Sequence, residues 1–298
     1  MFNINKVNNK VSVVIPVYNE SRTIVEILTK VQTHCDEIIV INDGSTDNSL
    51  EKITNFASDS TVSTTVINNK KNLGIGNSMK LGFKEALKNK ATIIIKFDAD
   101  GQHDWNDIPN FIKMIDEEDC DLVKGNRFFN SESIKNMPKI KIIGNLITTT
   151  FQKIISGNYS ISDPNNGFLA IKAEKLKLID FNHLNNQYFF ENSLVIIFST
   201  FEFKIGEYGI QTIYGEEESS IPILRASIKL LPVFALFLYR RNKIKAVNQL
   251  SLSSFIFFLG NFTFLVNLYL QFGILWGLLI FFIIMYLLID IINFYSYD

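Results

Sequence analysis

From Val11 to Lys124, short apolar runs alternate with stretches whose apolar residues recur at helical spacing. VSVVIPV (Val11 to Val17), EIIVI (Glu37 to Ile41), Val62 to Ile67, TIIIKF (Thr92 to Phe97) and Asp121 to Lys124 read as strands. In each, β-branched and apolar residues cluster between turn residues. Between them, Thr23 to Val31, the stretch through Leu50, Ile53 and Phe56, the segment after NLGIG and Asn106 to Ile115 carry the helical period. Strand and helix following each other this closely predict an α/β fold with an open, mainly parallel sheet covered by helices on both faces. Ligands of such sheets bind beyond the carboxyl ends of the strands. Those ends carry PVYNE, NDGSTD and DADGQ, so the chemistry is expected along one rim.

The third of these loops carries the sharpest chemical signal. Asp98 and Asp100, separated by one small residue at a strand end, can turn the same way and grip one divalent cation. A hard ion such as Mg²⁺ takes oxygen ligands and keeps positions open for phosphate oxygens, and the Gln102 side-chain oxygen can supply a third protein ligand. Asp and Gly are also ordinary turn and cap residues. The Gln that follows and the strand–helix units that precede favour the metal. His103, beside the loop, reads as a surface residue. No Gly-x-Gly-x-x-Gly follows the first strand and no Walker-type loop occurs, which removes support for dinucleotide and P-loop chemistry. Gly74 and Gly76 read first as turn and helix-start residues.

A formal net charge of −1 implies no broad basic surface, so nucleic acid is not an expected partner. Two cysteines, Cys35 and Cys120, and three histidines without ligand spacing argue against a disulfide framework or a zinc site. The N-terminal MFNINKVNNK lacks the apolar core of a signal peptide. Hydrophobicity concentrates at the other end. Leu252 to Leu270 and Ile274 to Ile292 are each long enough to cross a bilayer, and only Gln271-Phe272-Gly273 separates them. Arg240, Arg241, Lys243 and Lys245 cluster just before the first span, placing that side in the cytoplasm. The expected plan is a cytoplasmic domain over 1–221, interfacial juxtamembrane helices over 222–250, kinked at Pro232, and a two-helix transmembrane hairpin over 251–298. On this plan the protein is a multi-pass membrane protein with its C-terminus in the cytoplasm.

Taken in order, VVIPVYNE, INDGSTD, NLGIG, DADGQH and LVKGNRF resemble the motifs of the family 2 glycosyltransferases. Within that family they resemble the polyprenyl-phosphate sugar synthases. The likeness covers Val11 to Ser220 and implies a fold of the glycosyltransferase A type, Rossmann-like. It also implies a nucleotide-sugar donor, Mg²⁺ or Mn²⁺ as cofactor, and a polyprenyl phosphate acceptor at a lipid surface. By the same resemblance Pro16, Tyr18, Glu20, Ile41 and Asp43 hold the nucleotide, and Ala99 lines it. Asp98, Asp100 and Gln102 hold the metal, and Arg127 lies near the diphosphate. A guanidinium suits that position, since its planar fork of donors fits phosphate oxygens.

The basic and apolar stretch between Arg127 and Asp163 resembles the family's acceptor loop and following helix. Lys139 and Lys141 there stand where relatives often carry arginine. Ser162 to Phe168 (SDPNNGF) matches an Asp-x-x-x-Gly-Phe loop that places Asp163 near sugar and acceptor. Glu191 matches a later acidic position on the acceptor side. Ile221 stands where relatives carry a lysine that contacts donor phosphate, and Arg225 is a candidate substitute. Transfer to a saccharide hydroxyl of a lipid-linked glycan is the alternative, and it needs a true base in Asp163 or Glu191. A nucleotidyltransferase lacks its Gly-rich loop and lysine here, and a processive synthase lacks Gln-x-x-Arg-Trp. A membrane-anchored binding protein with a decayed site, and a homo-oligomer, stay open.

Overall fold

The computed structural model describes residues 9–129, 137, 139–212, 237, 239 and 241. Its spine is a seven-stranded sheet in the order β3-β2-β1-β4-β6-β5-β7. The strands are β1 (Val11–Val17), β2 (Glu37–Asn42), β3 (Ser63–Asn68), β4 (Ile93–Lys96), β5 (Leu122–Asn126), β6 (Leu169–Lys172) and β7 (Ile205–Gly209). β1 pairs parallel with β2 and β4, β2 with β3, and β5 with β7. β6 alone inserts antiparallel between β4 and β5. The sheet is thus mainly parallel, as the alternation predicts.

Parallel strands buried on both faces need unbroken apolar runs. β2 is buried at every position and β1 at all but Pro16. Helices α1 (Ile24–Val31), α2 (Ser49–Asp59), α3 (Ile75–Lys88) and α4 (Ile108–Asp116) carry apolar stripes and cover the sheet. One core joins Val14, Ile41, Met79, Phe83 and Leu169 with Phe190, Leu194 and Phe198. The other joins Val13, Ile15, Leu28, Ile95, Phe111 and Phe168.

Two later helices frame the site, α5 (Lys139–Ser156) and α6 (Phe190–Thr200). Phe237 is buried in the first core, with its ring centroid 5.4 Å from that of Phe189. Arg241, from the basic cluster that precedes the first expected span, is only 2% exposed. Its Nη1 donates to the carbonyls of Ile154 (3.3 Å) and Ile155 (2.7 Å) at the end of α5. A guanidinium there satisfies orphan carbonyls and complements the negative end of the helix dipole. Among the described residues no helix is long and apolar enough to cross a membrane. The expected hairpin over 251–298, Ile221, Arg225 and the remaining basic residues before the hairpin lie outside the described residues.

Candidate active site

At the carboxyl rim the turns after β1, β2 and β4 are knitted into one surface. Asn19 Oδ1 accepts from the Thr46 amide (2.8 Å), and Asp47 accepts from the amides of Ser21 and Ser49. The Thr23 hydroxyl donates to the carbonyl of Ala99 (2.6 Å), tying the start of α1 to the acidic loop. Side-chain bonds of this kind hold loops where no ladder can.

A cavity of about 290 Å³ opens between these turns. Pro16, Tyr18, Glu20, Asp43, Asp98, Ala99 and Asp100 all line it. Sequence reasoning grouped these residues from three separate segments, and folding brings them together. Ile41 is different: it is fully buried in the core beside Val14 and Phe83, so its side chain supports the rim from beneath. Asp43 borders the cavity but also shapes it. Its carboxylate accepts from Asn69 Nδ2 (2.8 Å) and from the amides of Leu73 (3.0 Å) and Gly74 (2.9 Å).

Gln187 and Tyr188 also line it, and nothing in the sequence reading pointed to them. They reach the cavity because Gly74, at φ +92°, has no side chain to keep the Gln187 chain away.

The acidic pair is asymmetric. Asp98 Oδ1 lies 2.5 Å from Lys96 Nζ, and Oδ2 lies 3.6 Å from His103 Nε2. Burial pushes the Asp98 carboxyl up, but the Lys96 ammonium outweighs it, with His103 adding, and holds it well below the usual carboxylate range. Asp100 goes the other way. Burial and then the charge of Asp98 raise it, and its Oδ1 accepts from the Gln102 amide at 3.0 Å. Among the described residues no three His, Cys, Asp or Glu side chains are grouped to hold a metal unaided. Asp98 is offset by Lys96, while Asp100 is pushed toward its neutral form by burial and then by Asp98, leaving charge that a further cation can offset. That donor set fits a hard cation whose remaining ligands come from phosphate oxygens.

His103 is corrected from a surface residue to a buried one. It sits between Phe97 and Phe168, with ring centroids 6.0 and 5.5 Å away.

Arg127 and Asp163 form a unit of their own outside the cavity lining. Arg127 Nε donates to Asp163 Oδ2 (2.7 Å), Nη2 to Oδ1 (2.8 Å), and the Arg127 amide to Oδ2 (3.1 Å). Asn145 Nδ2 on α5 donates to Oδ1 at 3.3 Å. Burial would raise the Asp163 carboxyl, but the Arg127 hydrogen bonds and charge dominate and lower it. Asp163 is fully buried, and its carboxylate is engaged within the protein by Arg127.

Glu191 is also buried, and it pairs with Lys96 at 3.1 Å. Lys139 and Lys141 begin α5, and their side chains lie outside the described residues.

Lys96 was missed although a signal was present. A lysine two positions before an aspartate on a strand shares its face, so IIIKFDAD already set Lys96 beside Asp98. The asparagines around the Asp163 loop were also missed. Asn192 Nδ2 donates to Asn165 Oδ1 (2.7 Å), and Asn165 Nδ2 donates to Thr148 Oγ1 (2.5 Å) and to Asn145 Oδ1.

This rim, with its acidic pair beside the cavity, stands where ligands of parallel α/β sheets bind. The profile of glycosyl transferase family 2 matches residues 12–179, and the chain belongs to that family. An uncharacterised protein of Methanocaldococcus jannaschii is 33% identical over 219 residues, covering 73% of this chain and 87% of that protein. The UDP-N-acetylglucosamine–dolichyl-phosphate N-acetylglucosaminyltransferase of Methanococcus voltae is 32% identical over 215 residues, covering 68% and 85%. Among solved structures, glucosyl-3-phosphoglycerate synthase of Mycobacterium tuberculosis bound to UDP superposes with a TM-score of 0.59 at 18% identity. The overlap covers 79% of this chain and 81% of that one, a likeness of fold.

Proposed function

We propose that this chain moves a sugar from a nucleotide-sugar to a polyprenyl phosphate, inverting the anomeric carbon. The observation that carries the reading is the convergence of Asp98 and Asp100 with the β1 and β2 ends on one cavity. The names of relatives support the acceptor. The Methanococcus voltae enzyme is named for dolichyl phosphate, and a 30% identical Pyrococcus furiosus protein is named a dolichol-phosphate mannosyltransferase. A fold neighbour crystallised with Mn²⁺ and UDP supports the donor and cation.

On this reading Pro16, Tyr18, Glu20 and Asp43 border the nucleotide, and Tyr18, 46% exposed, offers an aromatic face. Asp98, Asp100 and Gln102 would hold Mg²⁺ or Mn²⁺, which would supply positive charge to offset that of the departing nucleoside diphosphate. The acceptor phosphate oxygen forms the new bond to the anomeric carbon as the bond to the diphosphate breaks in line. That oxygen is already ionised at neutral pH and needs no base. The pairing of Asp163 with Arg127 and of Glu191 with Lys96 accords with this. A saccharide hydroxyl would need one of those carboxylates free.

The test is to incubate membranes carrying the protein with labelled nucleotide-sugars and Mg²⁺ or Mn²⁺. Label should enter an organic-extractable, mild-acid-labile product, and a product stable to mild acid would sink the phosphate acceptor. Membrane attachment through 251–298 belongs to the same proposal. A chain ending at Leu250 should fold and use short, soluble polyprenyl phosphates while losing long-chain acceptors in vesicles. Equal rates on both acceptors would count against the anchor.

A further inference from the structure

Two lysines sit where strands of this kind carry apolar residues. Lys96 on β4 and Lys124 on β5 are both fully buried. Both stand opposite Leu169 of the intervening β6. Residues directly opposite one another across a ladder share a face of the sheet. The two ammonium groups therefore rise side by side on one face, and each finds the loop that leads into β6. Lys96 Nζ donates to the carbonyl of Gly167 at 3.1 Å, and Lys124 Nζ donates to the carbonyl of Asn166.

The same loop presses on the acidic pair: a methyl group on Gly167 would overlap Asp98 Oδ2. Three residues upstream of Asn166, Asp163 holds Arg127. Glu191 from α6 pairs with Lys96 and also lies close enough to Lys124 to favour its charge.

We propose that Lys96 and Lys124 are positioning residues that clamp the carbonyls of Gly167 and Asn166. The clamp sets the Asp163–Arg127 unit at a fixed distance from Asp98. Burying an ammonium is costly unless it is paired and hydrogen-bonded, so two of them on adjacent carbonyls mark a loop whose placement matters. The clamp rests on the transfer reaction proposed above, and it assigns donor-side and acceptor-side geometry to one rigid piece. Burial pulls the Lys124 pKa down to about 8, partly offset by Glu191 and Asp163, with the positive Lys96 and Arg127 adding to the drop. Raising the pH through that value loosens one jaw.

The experiment uses the full chain in membranes or detergent and compares Lys124→Met, Lys124→Gln and Gly167→Ala with the parent. In Lys124→Met donor KM should stay within about twofold, while kcat/KM for polyprenyl phosphate falls about 10- to 100-fold, as for a slightly misplaced reacting group. Lys124→Gln, which keeps a donor, should recover part of the loss. Gly167→Ala, whose methyl would meet Asp98 Oδ2, should lose acceptor use and weaken donor binding together without removing a charge. Acceptor KM of the parent should climb above pH about 8, and that of Lys124→Met should stay flat. Amide exchange should rise at 164–168 in Lys124→Met and stay unchanged in β1.

Unchanged acceptor kinetics in Lys124→Met would overturn the clamp. So would equal loss on the donor and acceptor sides in that variant, with faster exchange through β1 and β5. If the parent transfers no sugar from any donor, the reaction assignment fails. Amide exchange then decides the clamp by itself, and unchanged exchange at 164–168 in Lys124→Met refutes it.

Discussion

Asp100→Asn should lower sugar transfer by about 100-fold or more while leaving the protein as stable as its parent, or slightly more so. The activity loss follows from removing one of the two carboxylates that fit a cation; about 3 kcal/mol of lost transition-state stabilisation corresponds to that factor. The stability follows from the sign of the shift. Burial and the Asp98 charge raise the Asp100 carboxyl. A raised carboxyl destabilises the fold once the pH exceeds the unfolded value, so an amide removes a penalty at neutral pH.

Asp98→Asn should lose activity and stability together, because it strips the buried Lys96 of one of the two carboxylates that neutralise it. Breaking such a pair costs about 3 kcal/mol. Initial rates at saturating Mn²⁺ beside thermal melts of both variants check this. Full activity in Asp100→Asn removes the metal site, and matching melts for the two variants remove the asymmetry between the carboxylates.

That asymmetry shows where a sequence stops being readable. β1 and β2 were legible because strands buried on both faces must be apolar throughout, and the half-exposed edge strand β3 by its alternation. β6 and β7 were not. LAIK is too short to show a period, and IGEYG at the sheet's edge carries two glycines and a glutamate. The rim residues were legible because each sits in a loop directly after a strand, and the topology alone gathers strand ends.

Partnerships were hidden. Lys96 and Lys124 interrupt apolar runs and read as strand ends, and only the register through Leu169 sets them together. His103 follows three polar residues and reads as exposed, yet two phenylalanines from distant segments enclose it. Arg241 reads as one charge in a basic cluster, and its bonds to α5 come from a helix more than eighty residues upstream.

Asp163→Asn separates the two roles open to that residue by stability as well as rate. A general base facing the acceptor could become an amide with transfer abolished and the melt unchanged. An acid buried against Arg127 cannot, since the amide leaves a guanidinium facing a neutral group where it had a bidentate ion pair. The expected cost is about 3 to 5 kcal/mol, read as a shifted denaturant midpoint.

The pH dependence carries the same signature. The folded Asp163 carboxyl is lowered by Arg127 against the pull of burial. Its contribution is therefore complete above the unfolded carboxylate value of about 3.9, and it is lost as the pH falls through the folded value. The gap between parent and Asp163→Asn should be constant from neutral pH down to about 4 and close below it. Replacing both partners, as in Arg127→Met with Asp163→Leu, should recover much of the stability, because no charge is then left buried alone. It should recover none of the transfer if Arg127 is the group that meets phosphate. A double variant that regains transfer would show that the pair holds the fold together and takes no part in the reaction.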